Sequence, residues 1–182
     1  VPEGSDLCIT PVSAPENHYV RIKADNRLEA DGTLRGTFTL TAEGQSDSNI
    51  RRIFTTGFQS EWKSTMERQL LAISPKARLL SVDYGKNPKD YQAAPIKITF
   101  RYEIPDYALK GEGEMFFRPM VMNNLYNQVR SYMWIDTSVE NRKYGFKDAC
   151  SRLVELDETV QLPAGYKLVS AVKDETMQGV GG

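Results

Sequence analysis

The sequence has little of what catalytic and metal sites usually require. Among its 182 residues His18 is the only histidine, and the two cysteines, Cys8 and Cys150, lie far apart without C-x-x-C spacing. Nucleophilic catalysis by serine or cysteine needs a base, usually an imidazole, and zinc sites need clustered ligands. The sequence therefore predicts no catalytic, cofactor-binding or metal-binding residue. We interpret His18 as an exposed residue at a strand edge.

Charge and hydropathy exclude further classes of function. Lys and Arg number 23 and Asp and Glu number 24, which leaves a formal charge of −1. No segment concentrates basic residues as nucleic-acid binding requires, and the longest apolar runs span only a few residues. We expect no nucleic-acid partner and no membrane insertion. Paired acids such as Glu112 and Glu114 would suit a glycosidase, but acids at strand spacing are more typical of a solvated face.

Two observations about the chain as a whole leave alternatives open. Cys8 and Cys150 are either unpaired thiols or a disulfide, and a disulfide would suit an exported protein. The chain begins at Val1 and ends in Gln178-Gly-Val-Gly-Gly, which has nothing to bury. We expect a fragment of a longer protein.

Alternation of apolar and polar residues predicts an antiparallel hairpin. Residues 20–30 and 34–43 carry apolar side chains at even positions, with Asn26 the clear exception in the first run. Asp31-Gly32 separates the two runs and favours a tight hairpin turn. The even-numbered apolar residues are predicted to be buried.

Apolar residues at spacings of three and four predict two helices that pack on a sheet. They cover about residues 47–56 and 60–73, and Pro75 ends the second. Their apolar stripe is more typical of a core-facing surface than of a partner-binding one.

More strands are predicted on either side of the helices. The patterns indicate strands at residues 77–84, 96–104, 111–118, 151–162 and 166–172. We expect 111–118 to form a hairpin with 96–104, and 166–172 to pair with 151–162 around Pro163-Ala-Gly.

This order of elements predicts an α+β fold, mainly antiparallel β, with sandwich-like sheets and no βαβ unit. The predicted organisation is a flexible arm over residues 1–17, a single β-rich module over 18–174 and a flexible tail over 175–182. An alternative divides the module into subdomains 18–104 and 105–174.

Five segments resemble a known family when they are taken in order. They are VRIKADNRLEADGTLRGTFTLTAEGQSDSNIRR, PIKITFRYEIPDYA, GEGEMFFRPM, ENRKYGF and ETVQLPAGYKLV. Their order over roughly residues 18–170 resembles the region downstream of the core in bacterial (Bacteroidetes-type) transglutaminase-like proteins, which include putative cysteine proteases. In that family a β domain precedes a papain-like core, and a domain of unknown function follows it.

The resemblance implies a function without catalysis. The family's catalytic Cys, His and Asp belong to the upstream core, so no residue here inherits their roles. We expect an accessory module of an exported, periplasmic or cell-surface protein, which positions the catalytic core or its substrate. The alternative is an independent peptide- or glycan-binding module at the bacterial cell surface, with the aromatic residues of segment 126–146 as a sugar-stacking surface.

One segment is predicted to contact the upstream core. Residues 120–146 hold more Met and aromatic side chains than one face of a short strand can carry, and such residues are enriched at interfaces. The candidate interface residues are Met120, Met122, Tyr126, Tyr132, Met133 and Trp134. In the alternative interpretation they close the end of a sandwich core.

Overall fold

The computed structural model describes residues 13–93, 95–121, 143, 150–170 and 174–176. The predicted arm 1–17 and tail 175–182 fall mostly outside them. The elements in chain order are β1 (Tyr19–Leu28), β2 (Leu34–Ala42), α1 (Gly44–Thr55), α2 (Trp62–Leu71), β3 (Arg78–Asp83), β4 (Ile96–Ile104), β5 (Leu109–Lys110), β6 (Met115–Phe116) and β7 (Leu153–Gln161). Short 3-10 helices at Pro15–His18 and Gln59–Glu61 precede β1 and α2. The fold is α+β, as predicted.

Five strands form one mixed but mainly antiparallel sheet. Their spatial order is β3-β4-β2-β1-β7, and only β7 runs parallel to its neighbour β1. The two helices pack on one face of this sheet, so in the described part of the chain helices cover the core rather than a second large sheet. The short strands β5 and β6 pair with each other in a separate two-stranded sheet.

The predicted hairpin is confirmed, and its register joins Ile22 to Leu40. The even positions of β1 are buried, and its odd positions from Arg21 to Arg27 are exposed. Burial is incomplete elsewhere in the hairpin, because Leu40 on β2 is half-buried and Ala30, also predicted to be buried, is exposed in the loop. The loop that joins the two strands around Asp31-Gly32 has three residues, Ala30 to Gly32. Glu29 N–H donates to Thr33 C=O at 2.8 Å, and Gly32 at φ 89° ends a three-residue loop. A tight type I′ turn needs positive φ at both central residues, and here only Gly32 has it.

Both predicted helices are present and contribute their apolar side chains to the core. The two side chains Met66 and Leu70 are buried on α2, next to β3. The Phe54 ring on α1 meets the Trp62 ring edge to face, with centroids 5.2 Å apart. Pro75 follows the end of α2, as predicted.

The prediction that residues 111–118 pair with β4 is wrong. β4 already has β2 on one side and β3 on the other, so it offers no vacant edge. At the end of β4 the chain turns away through Pro105 and Asp106, whose φ of 51° is unusual for a residue other than glycine. The returning segment pairs instead with Leu109–Lys110.

The prediction of a last hairpin is also wrong. β7 forms as predicted, but residues 166–170 are exposed and form no strand. Tyr166 N–H donates to Pro163 C=O at 3.1 Å across a turn in which only Gly165 has positive φ. Such a turn splays the flanking strands, whereas hairpin turns with positive φ at the first central residue match strand twist. Within the described residues β7 pairs with β1, which is distant from it in sequence.

Candidate functional site

Of the six candidate interface residues, only Met120 lies within the described residues. Its side chain is fully buried in the core, as is that of its neighbour Val121. The other candidates, Met122, Tyr126, Tyr132, Met133 and Trp134, lie outside the described part of the chain. The structure therefore shows how this segment begins and leaves the interface prediction untested.

A carboxylate holds the start of this segment against the sheet. Glu158 projects from β7 on the core side, where its Oε2 accepts the backbone N–H of Val121 at 2.7 Å. Its Oε1 accepts the backbone N–H of Met120 at 3.0 Å and the Nδ2–H of Asn26 at 2.7 Å. Hydrogen bonds to a charged acceptor contribute roughly 1.5–3 kcal/mol each. Both carboxylate oxygens thus bind donors of this same chain.

Asn26 connects this carboxylate to a buried tyrosine. Its Oδ1 accepts the hydroxyl proton of Tyr102, which is fully buried on β4. Asn26, Gly36 and Tyr102 occupy one row across β1, β2 and β4. We call Asn26, Tyr102 and Glu158 the polar cluster. It links three strands to the segment at Met120 through side-chain hydrogen bonds.

Gly36 provides the space that the polar cluster needs. A Cβ at this position would overlap the Asn26 side-chain oxygen and would lie 2.8 Å from the backbone oxygen of Asp25. Asn26 on β1 therefore lies opposite a glycine on β2, and the absence of a side chain at Gly36 leaves room for the Asn26 amide.

Tyr107 fixes the same segment two residues before Met120. Its hydroxyl donates to the backbone oxygen of Arg118 at 2.7 Å. Burial, with a smaller contribution from the negative charge of Glu158, raises the pKa of Tyr107 to about 12. The same two causes raise the pKa of Tyr102 above its ordinary value. Both hydroxyls are therefore protonated at neutral pH and act as hydrogen-bond donors rather than as bases.

A largely buried ion pair shapes the loop before β4. Arg51 on α1 is only 2% exposed, and its Nε donates to Asp47 Oδ2 at 2.6 Å. The guanidinium also donates to the carbonyls of Pro88 and Asp90 at 3.1 and 2.9 Å. Asp47 in turn accepts the backbone N–H of Ile96 at 2.7 Å. The pair closes the loop onto α1.

His18 has a structural contact that its sequence position did not reveal. Its Nδ1 accepts the backbone N–H of Gln45 at 3.1 Å, in the first turn of α1. The ring is half-buried rather than exposed. A helix start leaves backbone N–H groups without partners inside the helix, and the imidazole satisfies one of them. His18 therefore acts as a capping residue for α1.

The face of the five-stranded sheet that points away from the helices is polar, and we call it the open face. Ion pairs cross its strands, with Arg35 to Glu103 at 2.8 Å, Arg78 to Glu103 at 3.3 Å and Arg21 paired with Glu155. Thr39 and Thr99 hydrogen-bond across β2 and β4 at 3.1 Å. These side chains interact with one another in rows across the sheet.

Two exposed apolar side chains stand on the small β5–β6 hairpin. Leu109 and Phe116 are directly paired across it and are 73% and 60% exposed. This hairpin leads into Arg118, where Tyr107 anchors the chain. The predicted acidic pair, Glu112 and Glu114, lies in its exposed loop, as expected of a solvated position.

The remaining sequence predictions concern metals, thiols and membranes. No group of three or more His, Cys, Asp or Glu side chains able to hold a metal ion occurs in the described residues. Cys150 is a half-buried free thiol, whereas Cys8 lies outside the described residues. Among the helices that the structure describes, none has the length and apolar character needed to span a bilayer.

Comparison of this chain with protein-family models, with curated proteins and with solved structures finds no match.

The sequence contains a sign of the polar cluster, namely two polar residues in rows that are otherwise apolar, but the periodicity does not show that they are partners. Asn26 was the one polar residue in an apolar row, and Glu158 likewise falls in the row of Val154, Leu156 and Val160 on β7. Polar residues on a buried face require partners. Only the parallel pairing of β1 with β7, across more than a hundred residues of chain, brings these two exceptions together.

Proposed function

We propose that this chain is a non-catalytic accessory module of an exported transglutaminase-like or protease-like protein, and that it positions the catalytic core or its substrate. The observation that supports the proposal best is the role of the polar cluster. Glu158 holds the backbone of Met120 and Val121, at the start of the predicted interface segment 120–146. A module that presents a segment to a partner needs such an anchor.

Two other ionisable side chains also support a role without catalysis, because their polar atoms are hydrogen-bonded to backbone groups of this chain. Arg51 holds the loop at Pro88 and Asp90, and His18 binds the start of α1. A general base needs a lone pair directed at a substrate proton. The accessible lone pair of His18 Nδ1 is already directed at Gln45 N–H.

The test compares activity with and without the module. The coding sequence upstream of this chain should encode a papain-like core with Cys, His and Asp, and that longer protein should show thiol-dependent amidase or transferase activity. This chain alone should show none. Substitutions Glu158→Ala and Tyr107→Phe, which release the anchored segment, should lower the activity of the longer protein, with Glu112→Ala as the matched surface control.

Three results would contradict the proposal. The first is an upstream sequence without such a core. The second is activity of this chain alone that is lost on thiol alkylation or in His18→Ala. The third is specific retention of a glycan or peptide by this chain together with full activity of the longer protein when the module is removed, which would favour the independent binding module.

A further inference from the structure

The two edge strands of the five-stranded sheet, β3 and β7, differ in how well they are protected against the addition of another strand. At one edge, β3 has only six residues, and its register shifts between Leu79 and Ser81, which leaves Leu80 bulged and half exposed. Bulges and short strands are the usual protection of a sheet edge against added strands. The edge at β3 is therefore protected.

The edge at β7 lacks these protections in the part of the chain that the structure describes. β7 has nine residues, and its ladder with β1 runs from Leu153 to Gln161 without a register shift. In the described structure β1 is its only strand partner. A long, regular edge presents a row of backbone N–H and C=O groups that can accept another strand.

Among the described residues, the core side of β7 is less completely buried than that of β1. Val154, Leu156 and Val160 pack against the core but are only half-buried, whereas the equivalent residues of β1 are almost completely buried. A further strand beside β7, with apolar side chains on this side, would cover their exposed area. Burial of apolar area contributes roughly 25 cal/mol per Å².

The charges on the open face indicate what an added strand must carry there. Glu155 and Asp157 are exposed on β7, and the positions of β1 opposite them are Arg21 and Lys23. Opposite charges also face each other where β4 meets β2 and where β4 meets β3. Directly opposite charges stabilise cross-strand pairs, and like charges destabilise them. The next strand outward from β7 should therefore be basic.

The same charges argue against a second copy of this chain at the edge. Antiparallel pairing of β7 with a second copy of itself would place Asp157 against its symmetry mate if it were centred on Asp157, and Glu155 against Asp157 if it were centred on Leu156. In each of these arrangements two carboxylates face each other directly, which destabilises the pairing.

We propose that the β7 edge binds an extended peptide segment by strand addition, and that this segment alternates basic residues on the open face with apolar residues on the core side. The inference deepens the proposed function and rests on it, because such a segment is one form of the peptide substrate that the module would position. Binding at β7 nevertheless concerns this chain alone, so its failure leaves the test with the catalytic core unaffected.

The probe is a fluorescein-labelled nine-residue peptide with lysine and valine at alternate positions, titrated with this chain and followed by fluorescence anisotropy. We expect saturable binding and slower exchange of alternate backbone amides along Leu153–Gln161, because alternate N–H groups point to each side of a strand. A peptide methylated on all its backbone nitrogens keeps the charge without N–H donors, so it should not bind. Glutamate in place of lysine should abolish binding too.

Variants separate the edge from general charge effects. Asp157→Lys replaces one attraction by a repulsion and should weaken binding by about 2- to 30-fold, since each cross-strand pair is worth roughly 0.2–1 kcal/mol. Glu112→Lys makes the same change of net charge in an exposed loop of the β5–β6 hairpin, and it should leave the affinity unchanged. Circular dichroism checks that both variants are folded.

Four outcomes would overturn the inference. They are absence of binding, equal binding of the methylated peptide, equal weakening by the two variants, and protection of amides elsewhere than β7. Sedimentation of the free chain provides an independent check, because a dimer whose contacts protect the β7 amides would assign this edge to a second copy.

Discussion

Substitution of Gly36 by alanine tests the polar cluster most directly, because backbone entropy and the packing around Asn26 predict opposite changes in the free energy of unfolding. Glycine inside a strand costs about 0.5–1 kcal/mol relative to alanine in backbone entropy, so intrinsic preference alone predicts that Gly36→Ala stabilises the protein. The structure predicts the reverse. The new methyl group would overlap the Asn26 side-chain oxygen and would lie 2.8 Å from the Asp25 carbonyl oxygen.

The expected decrease in the free energy of unfolding follows from the hydrogen bonds that Asn26 makes. Displacement of its side chain breaks a neutral bond from Tyr102, worth roughly 0.5–1.5 kcal/mol, and a bond to the Glu158 carboxylate, worth roughly 1.5–3 kcal/mol. These sum to about 2–4.5 kcal/mol, and the entropy gain of the substitution offsets at most about 1 kcal/mol. Gly36→Ala should therefore lower the free energy of unfolding by about 1–4 kcal/mol.

Urea unfolding followed by far-UV circular dichroism measures this change. Gly57→Ala is a suitable control, because the nearest atom to its new Cβ would be the flexible Glu61 carboxylate at 3.3 Å and the residue has no positive φ. It should be neutral or slightly stabilising. In an Asn26→Ala background the clash with the side chain is absent, so Gly36→Ala should cost less there by about 0.5–3 kcal/mol. A Gly36→Ala protein as stable as the parent would refute the reasoning.

Three further predictions concern the core, the buried ion pair and the tyrosine anchor. Leu70→Ala should cost about 2–5 kcal/mol in urea unfolding, because Leu70 is fully buried between α2 and the sheet. Arg51→Ala should cost about 3–5 kcal/mol because it leaves the largely buried Asp47 carboxylate without its cation, whereas Arg35→Ala, which breaks a surface pair, should cost at most about 1 kcal/mol. Glu158→Gln should lower the pKa of Tyr107 in an NMR titration, because the carboxylate charge raises it in the parent.

The tyrosine prediction has a consequence for stability at alkaline pH. The pKa of Tyr107 is raised to about 12 in the folded protein from a reference value of 10, so the folded state holds this proton more tightly. The contribution of Tyr107 to stability is complete below pH 10 and is lost as the pH rises through about 12. Tyr107→Phe should make the decline of stability over this range less steep.

Each of these predictions has a result that contradicts it. Leu71 on the same helix is about half exposed, so a similar cost for Leu71→Ala and Leu70→Ala would show that burial of Leu70 is not what the experiment measures. Equal costs for Arg51→Ala and Arg35→Ala would remove the distinction between buried and surface pairs. An unchanged pKa of Tyr107 in Glu158→Gln would show that the two groups do not interact.

Local structure was largely readable from the sequence, because it depends on neighbours in the chain. The alternation around Asp31-Gly32 requires one buried face, and it correctly placed β1 and β2 in a hairpin. The three- and four-residue spacing of Trp62, Met66 and Leu70 requires one helical face, and these side chains are buried as expected. The exact loop depended on backbone φ values that Asp-Gly does not determine by itself.

Strand order was not readable, because a periodic pattern states that a strand has a buried face without stating which strand lies beside it. Residues 111–118 looked suitable as a partner for β4, but β3 and β2 already occupy both of its edges. β7 follows β1 by more than a hundred residues and still pairs with it in parallel.

The candidate site depends on that long-range pairing. By itself the sequence determined that Asn26 and Glu158 interrupt apolar rows, and therefore that each needed a partner. Only the tertiary structure decided that they are partners of each other, with Gly36 providing the space and Met120 and Val121 providing the other donors. The physical reason is that a hydrogen bond needs atoms within about 3 Å. Residues so far apart in the chain reach that distance only when the sheet has assembled.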